Sequence, residues 1–180
     1  MIDRQWTLFL DRDGIVNERL PGEYVCTREQ FVLKKDFIPA VKILRTLFGK
    51  IIVVTNQQGI GKGICPEEAV KDVNRYMEEL LLKEGVRLDR IYYCPHLQES
   101  GCACRKPNTG MAEWARRDFP EIDFKKSVMV GDSLSDILFG KRNGMYTAFI
   151  GDQIPRAGID SNMMPDYYAT DMRELVHLIQ

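Results

Sequence analysis

No stretch of this sequence approaches the ~18 consecutive apolar residues that a membrane-crossing helix needs. Its first residues, Met1 to Trp6, carry no apolar run of the secretory kind. These absences lead us to expect a soluble, cytoplasmic protein. Neither sign of charge is in excess: 25 Lys and Arg stand against 26 Asp and Glu, for a net charge of -1. Binding to nucleic acid or to a membrane surface by bulk charge is therefore not expected. No internal repeat and no low-complexity segment are visible. The five cysteines are an odd number in a chain without a secretory segment, which argues against a disulfide scaffold. Cys26 and Cys65 stand apart from the others and are expected to be small buried or half-buried residues.

What is present is an ordinary globular composition, 44% hydrophobic and 28% charged over 180 residues. That is enough for one domain, residues 1–180, with a real core. The apolar run Trp6 to Leu10 reads as a buried strand, as do the β-branched Ile51 to Val54. "DRIYYC", "SVMV", "MYTAFI" and the short "PDYYAT" supply four more. Helical spacing runs through Ile38, Val41, Leu44 and Leu47, ahead of Gly49. It recurs from Pro66 to about Lys83, and in "TGMAEWARRDF", "SLSDILFGKRN" and "MRELVHLI". "GIGKG" reads as a flexible loop, and Gly151 to Pro165 as an exposed one. Strands alternating with helices predict an α/β fold of Rossmann-like type, a parallel sheet with helices on both faces. Ligands of such sheets bind beyond the carboxyl ends of the strands.

Those ends are chemically rich. The first expected strand runs into Asp11-Arg12-Asp13-Gly14, the second into Thr55-Asn56, and the fourth into Gly131-Asp132, with Asp136 in the helix after it. Lys106 follows the third. Each feature alone has a plain reading. D-x-D is commonly a turn or a cap, Ser133 and Asp136 can form a capping box, and a lone Lys is a solvated charge. Together they bring carboxylates, a hydroxyl and a lysine to one edge. Clustered carboxylates repel unless a cation holds them, and Mg²⁺ takes oxygen ligands while keeping phosphate oxygens in its shell. Lysine and threonine suit the other side of a phosphoryl group.

The four segments "DRDG", "VVTN", "CRKP" and "GDSLSD", in that order from about Thr7 to Ile150, resemble the motifs of the haloacid-dehalogenase-like phosphatases. "DRDGIVN", "TNQQGIGKG", "YYCPH" and "CACRKPNTGM" narrow the resemblance to the small group that contains the heptose 1,7-bisphosphate phosphatase and the histidinol-phosphatase domain. The resemblance implies hydrolysis of a phosphate monoester through an aspartyl-phosphate. Asp11 would be the nucleophile and Asp13 the acid and then the base. Asp11, Asp132 and the backbone carbonyl of Asp13 would hold Mg²⁺. Thr55 and Lys106 would bind the transferred group, with Asn56 and Ser133 orienting it and Asp136 orienting Lys106 or the metal waters. Such chemistry calls for Asp11 kept ionised beside an Asp13 able to carry a proton.

Cys94, His96, Cys102 and Cys104 fall within one short segment and match a tetrahedral Cys₃His zinc site, closed and structural. Its last ligand leads directly into Arg105 and Lys106. A zinc-stabilised loop would therefore aim the basic pair, with Arg105 available for a second anionic group of the substrate. About forty residues separate Gly14 from Thr55, too few for a large cap domain. The pocket is expected to be open, with Arg19 and Tyr24 of the "RLPGEY" stretch as candidate substrate contacts. A small phosphorylated metabolite is the expected partner, handled by a monomer. "GIGKG", "YYCPH" and "CRKPNTGM" lean toward the 7-phosphate of the heptose bisphosphate, whereas the short step from His96 to Cys102 is closer to the histidinol-phosphatase pattern. A phospho-accepting receiver domain also combines acids, Thr and Lys on a parallel sheet, but there the nucleophile ends the third strand.

Overall fold

The computed structural model describes residues 2–152 and 164–180. Its elements are β1 (Thr7–Leu10), α1 (Phe37–Leu47), β2 (Lys50–Asn56), α2 (Gln58–Gly61), α3 (Glu67–Lys83), β3 (Arg90–Cys94), α4 (Gly110–Asp118), β4 (Ser127–Gly131), α5 (Leu134–Arg142), β5 (Tyr146–Ile150), β6 (Tyr167–Ala169) and α6 (Met172–Ile179). The expected strands and helices all form. Most of the loop anticipated between Gly151 and Pro165 falls on residues 153–163, outside the described ones. "GIGKG" is not wholly a loop: its first residues complete the single turn α2.

The six strands form one sheet in the order β3-β2-β1-β4-β5-β6, and every pairing is parallel. The chain builds outward from β1 to β3, then returns to place β4 on the other side of β1. The direction in which successive strands are added reverses there, which opens a crevice at the carboxyl ends of β1 and β4.

Both faces are covered, as a fully parallel sheet requires. Leu8, Leu10, Ile51, Val53, Val128 and Val130 point to one face, against α1, α3 and α6. Their alternates, Phe9, Ile52, Val54 and Met129, point to the other, against Met111, Ala112 and Ala115 of α4 and Phe139 of α5. This two-residue alternation explains why the strands read as continuous apolar runs. No helix among the described residues is long and apolar enough to cross a membrane.

The expectation about cysteine burial holds, with Cys65 buried and Cys26 half-buried, but their pairing was not foreseen. Cys26 and Cys65 are not two separate bland residues; they form a disulfide with Cα atoms 5.3 Å apart. Cys26 lies in the long segment between β1 and α1, and Cys65 just ahead of α3. The odd count of five resolves into this pair and three free thiols.

Candidate active site

The sheet carries its reactive groups on strand ends. β1 stops at Leu10, yet the ladder runs one residue on: the Asp11 N–H donates to the Val130 carbonyl at 2.9 Å. The chain then turns sharply, with Gly14 at φ +96°, where a side chain would be strained. A Cβ at Gly14 would also collide with the Asp132 carboxylate. Glycine is thus required for Asp132 to reach Asp11.

Lys106 is the centre of the arrangement and is 3% exposed. Its ammonium lies 2.9 Å from Asp11 Oδ1 and 2.6 Å from Asp136 Oδ1, and donates to the Val54 carbonyl at 2.7 Å. Burial opposes its charge, but Asp11 and Asp136 outweigh that and raise its pKa. Asp136 touches Lys106 and also caps α5, as its position in the sequence allows. Its second oxygen accepts from the Ser133 amide at 3.1 Å and from the Ser133 hydroxyl, completing a capping box on α5.

Asn56 stands slightly apart from its expected role. Its amide nitrogen donates to the Lys106 carbonyl at 3.1 Å and its amide oxygen accepts from the Lys106 N–H at 3.0 Å. The side chain therefore clasps the backbone of Lys106. Arg19, expected at the substrate, donates to Asp132 Oδ1 at 2.8 Å. Thr55, Arg105, Tyr24 and Ser133 line the same cavity as Asp11, Asp13 and Lys106, with a volume of about 510 Å³.

The acid pair differs from expectation in its electrostatics. Burial lifts Asp11 to about 6, with Lys106 pulling it down and Asp136 and Asp13 pushing it up. Asp132 is lifted to about 7, by burial and then by Asp11. Asp13 goes the other way: burial would raise it, but the Arg12 guanidinium and hydrogen bonds from Asn17, Gln57 and Arg12 hold it below the usual range. In the metal-free chain, then, Asp11 is the reluctant anion and Asp13 the ready one. Burial is the main cause and crowding adds to it, since oxygens of Asp11, Asp132 and Asp136 come within 4.8 Å of one another. A divalent cation is what such a cluster lacks, and its all-oxygen donor set fits Mg²⁺.

Arg12, Gln57 and Asn17 were not singled out in the sequence. Arg12 has no solvent exposure, although a charged residue between two aspartates gives no pattern that says so. The only hint was its place in a strand-to-loop turn beneath the site.

The thiol segment folds into a compact cluster. Cys94 Sγ lies 3.5 Å from Cys102 Sγ and 3.2 Å from Cys104 Sγ, and Cys102 and Cys104 are 3.6 Å apart. His96 Nδ1 is 3.6 Å from Cys94 Sγ and 3.3 Å from Cys104 Sγ. Zinc–thiolate bonds of ~2.3 Å at tetrahedral angles place sulfurs about 3.7 Å apart. The geometry of the four donors therefore fits one zinc ion, with His96 turning Nδ1 toward the thiols. Burial pushes the thiols of Cys94 and Cys104 up, so their thiolates need a cation beside them. The segment is tied down by Gln57 N–H to the Cys94 carbonyl at 2.7 Å and Gly61 N–H to the Pro95 carbonyl at 2.9 Å. It passes directly into Lys106, whose bond to Pro107 is cis.

The HAD-hydrolase-like family model matches residues 103–175. A D-glycero-alpha-D-manno-heptose-1,7-bisphosphate 7-phosphatase of Mycobacterium bovis is 42% identical over 74% of this chain and 70% of its own length. The D-glycero-D-manno-heptose-1,7-bisphosphate 7-phosphatase of Chlorobaculum tepidum is 36% identical over 94% of this chain and 91% of its own. Among solved structures, a putative HAD-like phosphatase of Mesorhizobium loti superposes with a TM-score of 0.81 at 31% identity, over 98% of this chain and 85% of that one. The D,D-heptose 1,7-bisphosphate phosphatase of B. bronchiseptica, complexed with magnesium and phosphate, has the same fold, with a TM-score of 0.84 at 24% identity over 97% of both chains. Motif order, strand-end geometry and these likenesses agree: the chain belongs to the HAD-like phosphatases, in the family of the D-glycero-D-manno-heptose-1,7-bisphosphate 7-phosphatases.

Proposed function

We propose that this chain removes the 7-phosphate of D-glycero-D-manno-heptose 1,7-bisphosphate, with Asp11 as nucleophile. An oxygen of Asp11 attacks phosphorus, and the sugar oxygen leaves with a proton from Asp13, which is ionised in the free chain and takes up that proton when the phosphoryl group brings its negative charge beside it. A water then cleaves the aspartyl-phosphate, with Asp13 receiving its proton. Lys106 and Thr55 hold the nonbridging oxygens. Asn56 holds Lys106 in place, and Asp136 fixes its ammonium. Asp11, Asp132 and the Asp13 carbonyl would hold Mg²⁺, which when bound offsets their mutual repulsion and the negative charge of the phosphoryl group. Cys94, His96, Cys102 and Cys104 would hold a structural zinc that takes no part in the chemistry.

One observation carries the substrate class. Outside the catalytic group of Asp11, Asp13, Lys106 and Asp136, the cavity is lined by three further cations, Arg19 (paired with Asp132), Lys62 and Arg105, and one carboxylate, Glu23. A bisphosphate brings a second dianion to such a lining, where guanidinium forks suit it. Histidinol phosphate would bring an ammonium instead, and would meet like charge. The relatives carry both alpha and beta heptose names, so the anomer is a separate question. The test is kcat/KM for phosphate release from the heptose 1,7-bisphosphate and from histidinol phosphate. A preference of ~10²-fold or more for the bisphosphate is expected if the lining cations contribute about 3 kcal/mol. A preference for histidinol phosphate would overturn the assignment.

A further inference from the structure

Arg12 is the largest side chain among the described residues with no solvent exposure. Removing a guanidinium from water costs several kcal/mol, and a buried ion pair returns that only with good geometry and full hydrogen bonding. Here the bonding is nearly complete. Arg12 Nη2 meets Asp13 Oδ1 at 2.9 Å and Oδ2 at 3.0 Å, and Nε reaches Oδ1 at 3.3 Å. Nη1 donates to Asn74 Oδ1 of α3 at 3.1 Å, and Nη2 to Gln57 Oε1 at 3.2 Å.

The partners of Arg12 close back on the same carboxylate. Gln57 Nε2 donates to Asp13 Oδ2 at 2.8 Å and to the Thr55 hydroxyl at 2.9 Å. Asn17 Nδ2 donates to Asp13 Oδ1 at 3.0 Å. Asp13 is thus held on both oxygens, from its own turn, from the end of β2 and indirectly from α3. A well-packed apolar side chain commonly matches a buried ion pair for stability. What an apolar residue cannot supply is a fixed direction for the neighbouring carboxyl group.

We propose that Arg12 is a positioning residue that acts through Asp13. Lying fully beneath the site, it does not touch substrate; it aims the Asp13 carboxyl at the oxygen that leaves. In the step concerned, the bond from phosphorus to the sugar oxygen breaks as the bond from phosphorus to Asp11 forms. The proton that Asp13 takes up as the negatively charged phosphoryl group binds beside it passes to the departing oxygen. The inference rests on the reading of Asp13 as the acid of this reaction.

The test compares leaving groups. An alkyl phosphate such as β-glycerophosphate needs its leaving oxygen protonated, whereas 2,4-dinitrophenyl phosphate releases a stable phenolate that does not. kcat/KM reports the steps up to phosphorylation of Asp11. For Arg12→Met we expect a loss of ~10²-fold on the alkyl phosphate and under about 3-fold on the dinitrophenyl ester, with Arg12→Lys recovering part of the loss. Equal losses on both esters, or no loss on the alkyl ester, would overturn the proposal. Should Arg12→Met fail to fold, Asn74→Ala removes the outer partner of Arg12 and should show the same leaving-group pattern at about 3- to 10-fold; a uniform or absent effect there would overturn it as well. Wild-type turnover that survives Asp11→Asn would remove the aspartyl-phosphate reading itself, so the two failures are distinguishable.

Discussion

Among the described residues there are two clusters suited to metal ions, and they are built in opposite ways. The oxygen cluster joins Asp11, just past β1, to Asp132, just past β4, and Asp136 in the first turn of α5. Its shape comes from the sheet, so the backbone holds it even while its carboxylates repel. The thiol cluster takes all four donors from Cys94 to Cys104, a span with only a three-residue 3₁₀ turn at Gln98–Ser100. There the ion would have to provide much of the order. One site is a product of the fold; the other is a condition for part of it.

The largest effect should come from Asp11→Asn. Phosphate release should fall by ~10⁴-fold or more, while Tm changes little, because the sheet rather than the carboxylate shapes the site. Retained turnover would break the comparison at its catalytic end. Next, Cys104→Ser should reduce bound zinc from one per chain to near zero, measured by metal analysis. Small zinc sites contribute about 10 kcal/mol or more of ordering energy, so amide exchange should accelerate over residues 94–109 while β1 and β4 stay protected. Uniform acceleration would mean that the thiol cluster supports the sheet as well.

Arg105→Ala sharpens the boundary between the clusters, since the residue follows the last thiol and lines the catalytic cavity. A roughly 10- to 100-fold rise in KM for the bisphosphate, with kcat nearly unchanged, is expected for losing charge-assisted hydrogen bonds. The smallest effect concerns pH. Asp11 at about 6 and Asp132 at about 7 are raised from 3.8. The metal-free fold therefore keeps protons that the unfolded chain has released. Its stability from these groups is full below about pH 4 and is lost as pH rises through 6 to 7. Asp13, held low, acts in the opposite sense and only at more acidic pH. Mg²⁺ should raise Tm by about 3–6 °C at pH 8 and by under about 2 °C at pH 5. A gain independent of pH would locate the ion away from Asp11 and Asp132.

The strands and their terminal carboxylates were legible because a buried parallel strand must be apolar, so a polar group at its end stands out. The thiol cluster was legible because its donors are close in sequence. What escaped had no local pattern. Cys26 and Cys65 are 39 residues apart and carry no spacing that pairs them. Arg12 looks like a surface charge until Gln57, just past β2, and Asn74 of α3 are brought around it. The reversed acid strengths of Asp11 and Asp13 also depend on neighbours that only the folded sheet assembles. The strand order has the same character, since only the return of β4 beside β1 defines it.

The clasp of Asn56 on Lys106 has a consequence for robustness. Asn56 is the last residue of β2, paired with Cys94 of β3. Its side-chain amide presents one donor and one acceptor to a backbone, as another peptide unit would. The lysine is thereby grafted onto the sheet as if the ladder had gained a rung. Its anchorage is duplicated, by this graft and by the thiol segment that precedes it. Failure of the loop alone would loosen the approach to Lys106 before it displaced the ammonium.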